Sequence, residues 1–151
     1  MNIENEFKFL VKNTTFVIDA IERRHIRQGY LSNNDNCEIR VTVRENNSFI
    51  CIKSSGCEFS RKEFDYKIPD EDAEELLNKC NKILYKTRYI VPDKEGRTWE
   101  VDVFHGSSEG LIIAELEVKD ISEKPKELPS WVGEEVTGDP KYYNKNIASK
   151  V

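Results

Sequence analysis

The sequence predicts a mainly β (α+β) domain of about eight short strands, a barrel or a sandwich, with few helices. Three observations predict it. Most of the chain alternates apolar and polar residues with period two, the strand signal. Only one long stretch carries helical spacing. The 151 residues match a single domain spanning 1–151, long enough to bury roughly 68–70% of the unfolded surface.

Residues 2–11, NIENEFKFLV, alternate from the start, and a short helix is expected over 15–23. Strands follow at 25–32 (HIRQGYLS), 37–44 (CEIRVTVR) and 48–54 (SFICIKS). Ser54-Ser55-Gly56 makes a turn into a fifth strand at 59–68, FSRKEFDYKI. Pro69 then precedes Asp70, Glu71 and Asp72, acids that suit a helix N-terminus. Ala73, Leu76, Leu77, Cys80 and Leu84 recur at helical spacing behind them. The last strands are 84–91 (LYKTRYIV), 98–104 (TWEVDVF) and 111–119 (LIIAELEVK). Residues 120–139, with Pro125, Pro129 and Gly133, read as an irregular connection. The tail from Pro140 can form another helix.

Composition removes several classes. Charged residues are 34% of the chain, against about 25% on average. The net charge of −5 argues against duplex nucleic acid as a partner, because phosphate neutralisation needs a basic face. No stretch approaches the roughly 18–20 apolar residues of a membrane span. Glu4 and Glu6 stand where a signal peptide needs a basic start. Cys37, Cys51, Cys57 and Cys80 form no C-x-x-C pair and are expected as free thiols of a cytoplasmic protein. H-E-x-x-H, G-x-S-x-G, G-x-x-x-x-G-K-[ST] and G-x-G-x-x-G are all absent.

Side chains alternate faces along a strand, so residues i, i+2 and i+4 share one. Glu4, Glu6 and Lys8 oppose Phe7 and Phe9; Arg40, Thr42 and Arg44 oppose Val41 and Val43. Lys86 and Arg88 oppose Tyr85, Thr87 and Tyr89; Glu115 and Glu117 oppose Leu116 and Val118. A one-sided sheet with a solvated face gives the same alternation. The charges are also sorted by sign, however. Acids concentrate on the first and last strands, and bases dominate at Arg40, Arg44, Lys53, Arg61, Lys86 and Arg88. E-x-E-x-K occurs twice, at Glu4–Lys8 and at Glu115–Lys119. If the first and last strands meet, four carboxylates converge with Asp102 on a suitable face. A cation must then sit among them or their pKa values rise. Oxygen ligands of that kind suit Mg²⁺ or Mn²⁺. The facing bases suit a small polyanion.

The N-terminal E-x-E-x-K resembles the signature of the CYTH superfamily, the triphosphate tunnel metalloenzymes. Further segments are similar to its short bacterial members, in order along the chain: Arg27-Gln28-Gly29-Tyr30-Leu31, Glu38-Ile39-Arg40, Ile52-Lys53, Ser60-Arg61-Lys62-Glu63, Lys86-Thr87-Arg88-Tyr89, Asp102-Val103-Phe104, Glu115-Leu116-Glu117 and Trp131–Thr137. The resemblance implies an eight-stranded antiparallel closed barrel around a polar tunnel, with a C-terminal plug helix. It implies Mg²⁺ or Mn²⁺ at Glu4, Glu6, Glu115 and Glu117, with Asp102 beside them. It implies phosphate binding by Lys8, Arg40, Lys53, Arg61, Lys86 and Arg88, and gives Lys145 as the lysine of the plug helix. Family members commonly carry R-x-R on the third strand; here Thr42 follows Arg40 and Arg44 comes one step later. Either Arg44 takes over or one phosphate contact is absent. Tyr30 is either an ordinary packed strand tyrosine or, by resemblance, a partner of Lys8. In the second case the cation lowers the phenol pKa and the pair assists proton transfer to water.

The expected function is metal-dependent hydrolysis of inorganic triphosphate to diphosphate and phosphate. The alternatives are an adenylate cyclase of the class IV type, a thiamine or nucleoside triphosphatase, and a non-catalytic polyphosphate-binding module. Neither nucleic acid nor membrane is an expected partner, and the net charge suits a monomer or a homodimer.

Overall fold

The strands are β1 (Asn2–Val11), β2 (Glu22–Asn33), β3 (Cys37–Arg44), β4 (Asn47–Ser54), β5 (Ser60–Ile68), β6 (Lys82–Pro92), β7 (Thr98–Phe104), β8 (Ile112–Glu117), β9 (Val132–Glu135) and β10 (Ser149–Lys150). Among the described residues three α-helices, α1 (Phe16–Asp19), α2 (Asp70–Asn78) and α3 (Asn144–Ile147), and three short 3-10 turns accompany them. The computed structural model describes residues 2–33, 37–54 and 60–150, apart from the side chains of Asn2, Glu4, Asn33, Ser60, Ser149 and Lys150. The expected Ser55-Gly56 turn and Cys57 lie outside these residues. The protein is mainly antiparallel β with few helices. Pairing runs β6-β2-β3-β4-β5-β1-β8-β7, and β7 pairs in turn with β6, from Lys86 opposite Phe104 to Pro92 opposite Thr98. Among the described residues no helix is long and apolar enough to cross a membrane. Cys37, Cys51 and Cys80 carry thiols rather than disulfides.

The apolar face of the strands is covered from outside. Phe7 and Phe9 on β1, Trp99 and Val101 on β7 and Leu116 on β8 are buried in one cluster with Phe16 of α1 and with Trp131 and Val132. Trp99 and Trp131 meet edge to face at 5.6 Å, an arrangement their ring quadrupoles favour. Val41 and Val43 on β3 pack with Ala73 and Leu77 of α2. Each such fully buried aliphatic or aromatic side chain contributes about 1.5–3 kcal/mol. Because the apolar face needs these covers, the charged face is left as the inner one.

That inner face changes character along each strand. Arg88 and Lys86 give way to Leu84, Glu115 to Ile113, and Gln28 to Tyr30. Tyr30, Leu84, Phe104 and Ile113 cluster with Ile147 and Ala148 at the end of α3, with Leu10 packed against them. One end of the interior is therefore charged, and the other is filled with apolar side chains beneath α3.

Three expectations change. The helix expected over 15–23 stops at Asp19, since Ala20 is already extended at ψ 131 and Glu22 begins β2 opposite Ile90. The second helix ends at Asn78, and Leu84 belongs to β6; its i+4 spacing from Cys80 coincided with strand alternation. The segment 120–139 is not wholly irregular, because β9 pairs with β1 at Phe9 and Val11. That pairing needs Gly133, whose Cβ position would lie 3.0 Å from the Leu10 carbonyl oxygen.

Gly29 is held by a second close approach. A Cβ there would meet Cys80 Sγ at 2.6 Å and Leu77 Cδ2 at 2.9 Å. Gly29→Ala is expected to cost about 1–3 kcal/mol by overpacking the α2 contact. Urea unfolding checks this: Cys80→Ala in the same chain should recover part of the loss. No loss in the single variant would contradict the packing argument.

Candidate active site

The charged faces of β1 to β8 line a cavity of about 480 Å³. Its acidic wall comes from β1 and β8. Glu6 stands opposite Glu117 and Lys8 opposite Glu115 in their register, and all four line the cavity. Glu115 is only 7% exposed. Burial alone would raise its carboxyl pKa; Lys8, a hydrogen bond from Glu6, Arg88 and Lys86 hold it well below the usual range instead. Glu6 and Glu115 are thus close carboxyl groups on neighbouring strands, and a divalent cation between them would relieve their mutual repulsion. Glu4 lies in β1 with its backbone opposite Arg61; its side chain lies outside the described residues.

The basic walls come from the remaining strands. Arg40 and Arg44 on β3, Lys53 on β4, Arg61 on β5, and Lys86 and Arg88 on β6 all line the same cavity. Strand alternation put them on one face, and strand pairing brings that face into one space. Carboxylates not singled out in the sequence hold several of them. Glu38 reaches Arg40 at 3.9 Å and Arg61 at 3.7 Å, and Glu63 reaches Lys53 at 3.8 Å. Glu38 sits on the same alternation as Arg40, so the signal was present. Thr42 lines the cavity beside Gln28, whose Nε2 donates to its hydroxyl at 3.4 Å. Arg44 therefore shares the β3 wall with Arg40, with a neutral hydroxyl between them. Burial first, then the charges of Arg24 and Arg88, push the Arg44 pKa down, and its Nε is buried without a partner among the described residues.

Three expected site residues are placed differently. Asp102 is fully buried and does not line the cavity with the other acids. Its Oδ1 accepts from Arg88 Nε at 2.8 Å, and its Oδ2 accepts from Arg88 Nη2 at 2.9 Å and contacts Lys86 Nζ at 2.8 Å. Lys145 does not line the cavity; its ammonium stands 6.0 Å from the Tyr143 ring. Its neighbours Tyr143 and Asn144 line the cavity instead, and Asn144 Oδ1 accepts from Lys86 Nζ at 2.9 Å. Lys145 was expected from the resemblance alone, and the four-residue α3 turns Tyr143 and Asn144 to the cavity beside it. Tyr30 belongs to the apolar cluster under α3. Burial raises its phenol pKa far above the ordinary value and outweighs the opposing pull of Arg40. That is the reverse of the lowering expected from Lys8. The Lys8 ammonium instead donates to the Tyr142 carbonyl at 3.1 Å and stands 5.6 Å from the Tyr143 ring.

Lys86 gives the cavity a pH response. It is 2% exposed. Burial pushes its pKa down to about 8; Asp102 and Glu115 oppose the shift, and Arg88 adds to it. Below that pH it is a cation able to hold phosphate. Above it the charge is lost, so kcat/KM for a polyanionic substrate is expected to fall. Bound anion favours the charged form, so kcat should break at a higher pH than kcat/KM. Stability moves the other way. The folded pKa lies below the ordinary 10.5, so the unfolded chain binds more protons between about pH 8 and 10.5, and stability gains from Lys86 as pH rises through that window. Above about pH 10 the raised Tyr30 phenol opposes the gain. Rate profiles and melting temperatures over pH 7–10 check both signs, and activity and stability rising together would contradict them.

Among the described residues one other group could take a cation. Cys51, Glu63 and Asp65 have ligand atoms within 4.8 Å of one another, but burial pushes the Cys51 thiol up to about 12, so it is a poor ligand for hard ions. The Glu6, Glu115 and Glu117 carboxylates are the oxygen donors that Mg²⁺ or Mn²⁺ prefer.

The chain matches the model of the CYTH domain over residues 2–148. It is 40% identical over 149 residues to a protein of Acetivibrio thermocellus named inorganic triphosphatase, covering 97% of this chain and 94% of the relative. It is 35% identical over 153 residues to a Nitrosomonas europaea protein of the same name, covering 98% of each. A solved inorganic triphosphatase structure superposes with a TM-score of 0.74 at 31% identity, covering 100% of this chain and 97% of the other.

Proposed function

We propose, on the premise that this chain belongs to the CYTH domain family, that it hydrolyses inorganic triphosphate to diphosphate and phosphate within the charged cavity. The observation that carries this reading is an acidic wall and basic walls lining one cavity. Relatives at 35–40% identity, both named inorganic triphosphatase, support it.

Glu6, Glu115 and Glu117, with Glu4 on the same strand face, would hold Mg²⁺ or Mn²⁺. When bound, such an ion neutralises charge on phosphate oxygens and acidifies water. The remaining work belongs to side chains of the chain itself. Arg40, Arg44, Lys53, Arg61, Lys86 and Arg88 surround the anion and orient it for in-line attack. They also offset the charge that develops on the leaving diphosphate. Lys8, fixed by the Tyr142 carbonyl, adds a cation beside the acidic wall. The closed eight-stranded tunnel and the single functional unit over 1–151 are part of this reading; the return of the pairing path from β7 to β6 supports the first. A cytoplasmic site of action is part of it too, and the thiols of Cys51 and Cys80 support it.

Phosphate and diphosphate release from inorganic triphosphate and from ATP, each with Mg²⁺, Mn²⁺ or chelator, tests the proposal. Metal-dependent phosphate release from triphosphate with ATP slow is the expected result. Cyclic AMP with diphosphate from ATP would move the assignment to a cyclase, and no release from either substrate would leave a binding role.

A further inference from the structure

We propose that Asp102 is a positioning residue for the phosphate-binding bases and not a metal ligand, an inference that rests on the triphosphate reading above. The two oxygens of a carboxylate offer about four acceptor positions. In Asp102, Arg88 Nε occupies Oδ1 at 2.8 Å, while Arg88 Nη2 at 2.9 Å and Lys86 Nζ at 2.8 Å both lie on Oδ2. Asp102 stands directly opposite Arg88 in the β6–β7 register and has no exposed surface. A divalent ion on Oδ2 would displace Arg88 Nη2 or Lys86 Nζ, and one on Oδ1 would lie beside Arg88 Nε in a fully buried space between two fixed cations, while Glu6, Glu115 and Glu117 line the cavity nearby.

The contacts instead fix the bases. Arg88 spends Nε and Nη2 on Asp102 in a two-pronged contact, the geometry a guanidinium matches best, and Nη1 contacts Glu100 at 2.9 Å. Lys86 divides its ammonium between Asp102 and the Asn144 carboxamide oxygen at 2.9 Å. Each base keeps N–H groups for a phosphate while its direction is set from behind. Asp102 thus acts on the substrate only through Lys86 and Arg88.

Asp102→Asn keeps the shape and removes the charge. By charge alone the variant binds a polyanion at least as tightly, so KM for inorganic triphosphate is expected to hold or fall. kcat is expected to drop by about 100-fold, the scale of misplacing a reacting partner by about 1 Å, and excess Mg²⁺ or Mn²⁺ should not restore it. Mn²⁺ titration followed by electron paramagnetic resonance should show the native number of sites and affinity. A lost Mn²⁺ site, rescue by excess metal, or native kcat in the folded variant would overturn the proposal. Removing one partner of a buried ion pair can unfold a chain. Asp102→Asn with Lys86→Met removes both members of the Asp102–Lys86 pair and leaves Arg88 its Glu100 contact, so its Mn²⁺ titration gives an independent reading: sites retained supports positioning, and a site lost overturns it. If the native protein releases no phosphate from triphosphate, the functional reading fails, while the Mn²⁺ titrations still decide whether Asp102 is a ligand.

Discussion

Glu115→Gln is expected to lower metal-dependent phosphate release from inorganic triphosphate by on the order of 10³-fold, as losing several kcal/mol of charge stabilisation would. The substitution preserves side-chain shape and removes only charge. Glu115 is the acid most tightly integrated into the site, with Lys8, Lys86 and Arg88 acting on it and Glu6 hydrogen-bonded to it. Without its charge, the wall shared by β1 and β8 loses a hard, anionic oxygen donor. Circular dichroism should show a native fold, and steady-state rates over a metal titration give the size of the effect. A variant within tenfold of native would mean that the acidic wall does not seat the metal. Glu22→Gln is the control: Glu22 pairs with Arg24 at the surface and should leave the rate unchanged.

The second large effect is on stability. Inorganic triphosphate with Mg²⁺ at 100 times its dissociation constant should stabilise the fold by about 2.7 kcal/mol. For a chain of this length that corresponds to roughly 5–11 °C in melting temperature. The interior bases account for the direction of the shift. Arg44 has its pKa depressed by burial and by Arg24 and Arg88, and Lys86 is likewise depressed; an anion reverses both penalties. Orthophosphate, which spans fewer of these bases, should shift the melting temperature less. Thermal scans with triphosphate, diphosphate, orthophosphate and chelator settle the ordering. A shift below about 1 °C with millimolar triphosphate and Mg²⁺ would remove the cavity as its binding site.

Much of this site was legible as parity. Glu6, Lys8, Arg40, Arg44, Lys53, Arg61, Lys86, Arg88, Glu115 and Glu117 all fall on polar positions of alternating strands, and all of them line one cavity. Parity cannot say which face is the inside, because a solvated face and an enclosed one alternate alike. That is decided by covers remote in sequence: α1 and Trp131 over Phe9 and Trp99, and α2 over Val41 and Val43. Register is equally invisible. Nothing local in TWEVDVF says that Asp102 will face Arg88, so its ion pair across two strands could not be read there. Tyr30 shares parity with Gln28, but only one of them lines the cavity, because depth along the strand matters as well as face.

Depth has a further consequence. Leu10, Tyr30, Leu84, Phe104 and Ile113, sealed by Ile147 and Ala148, give the charged chamber a floor. Among the described residues that floor fills one end of the chamber, so products are expected to leave by the charged end where the substrate enters, and a long polyphosphate is not expected to thread through. Such a chain is expected to insert only its end, leaving its surplus phosphates beyond the bases that line the cavity. The floor therefore acts as a ruler: added phosphate units should increase affinity only until the chamber is full, and longer chains should be shortened from their termini rather than cut in the middle.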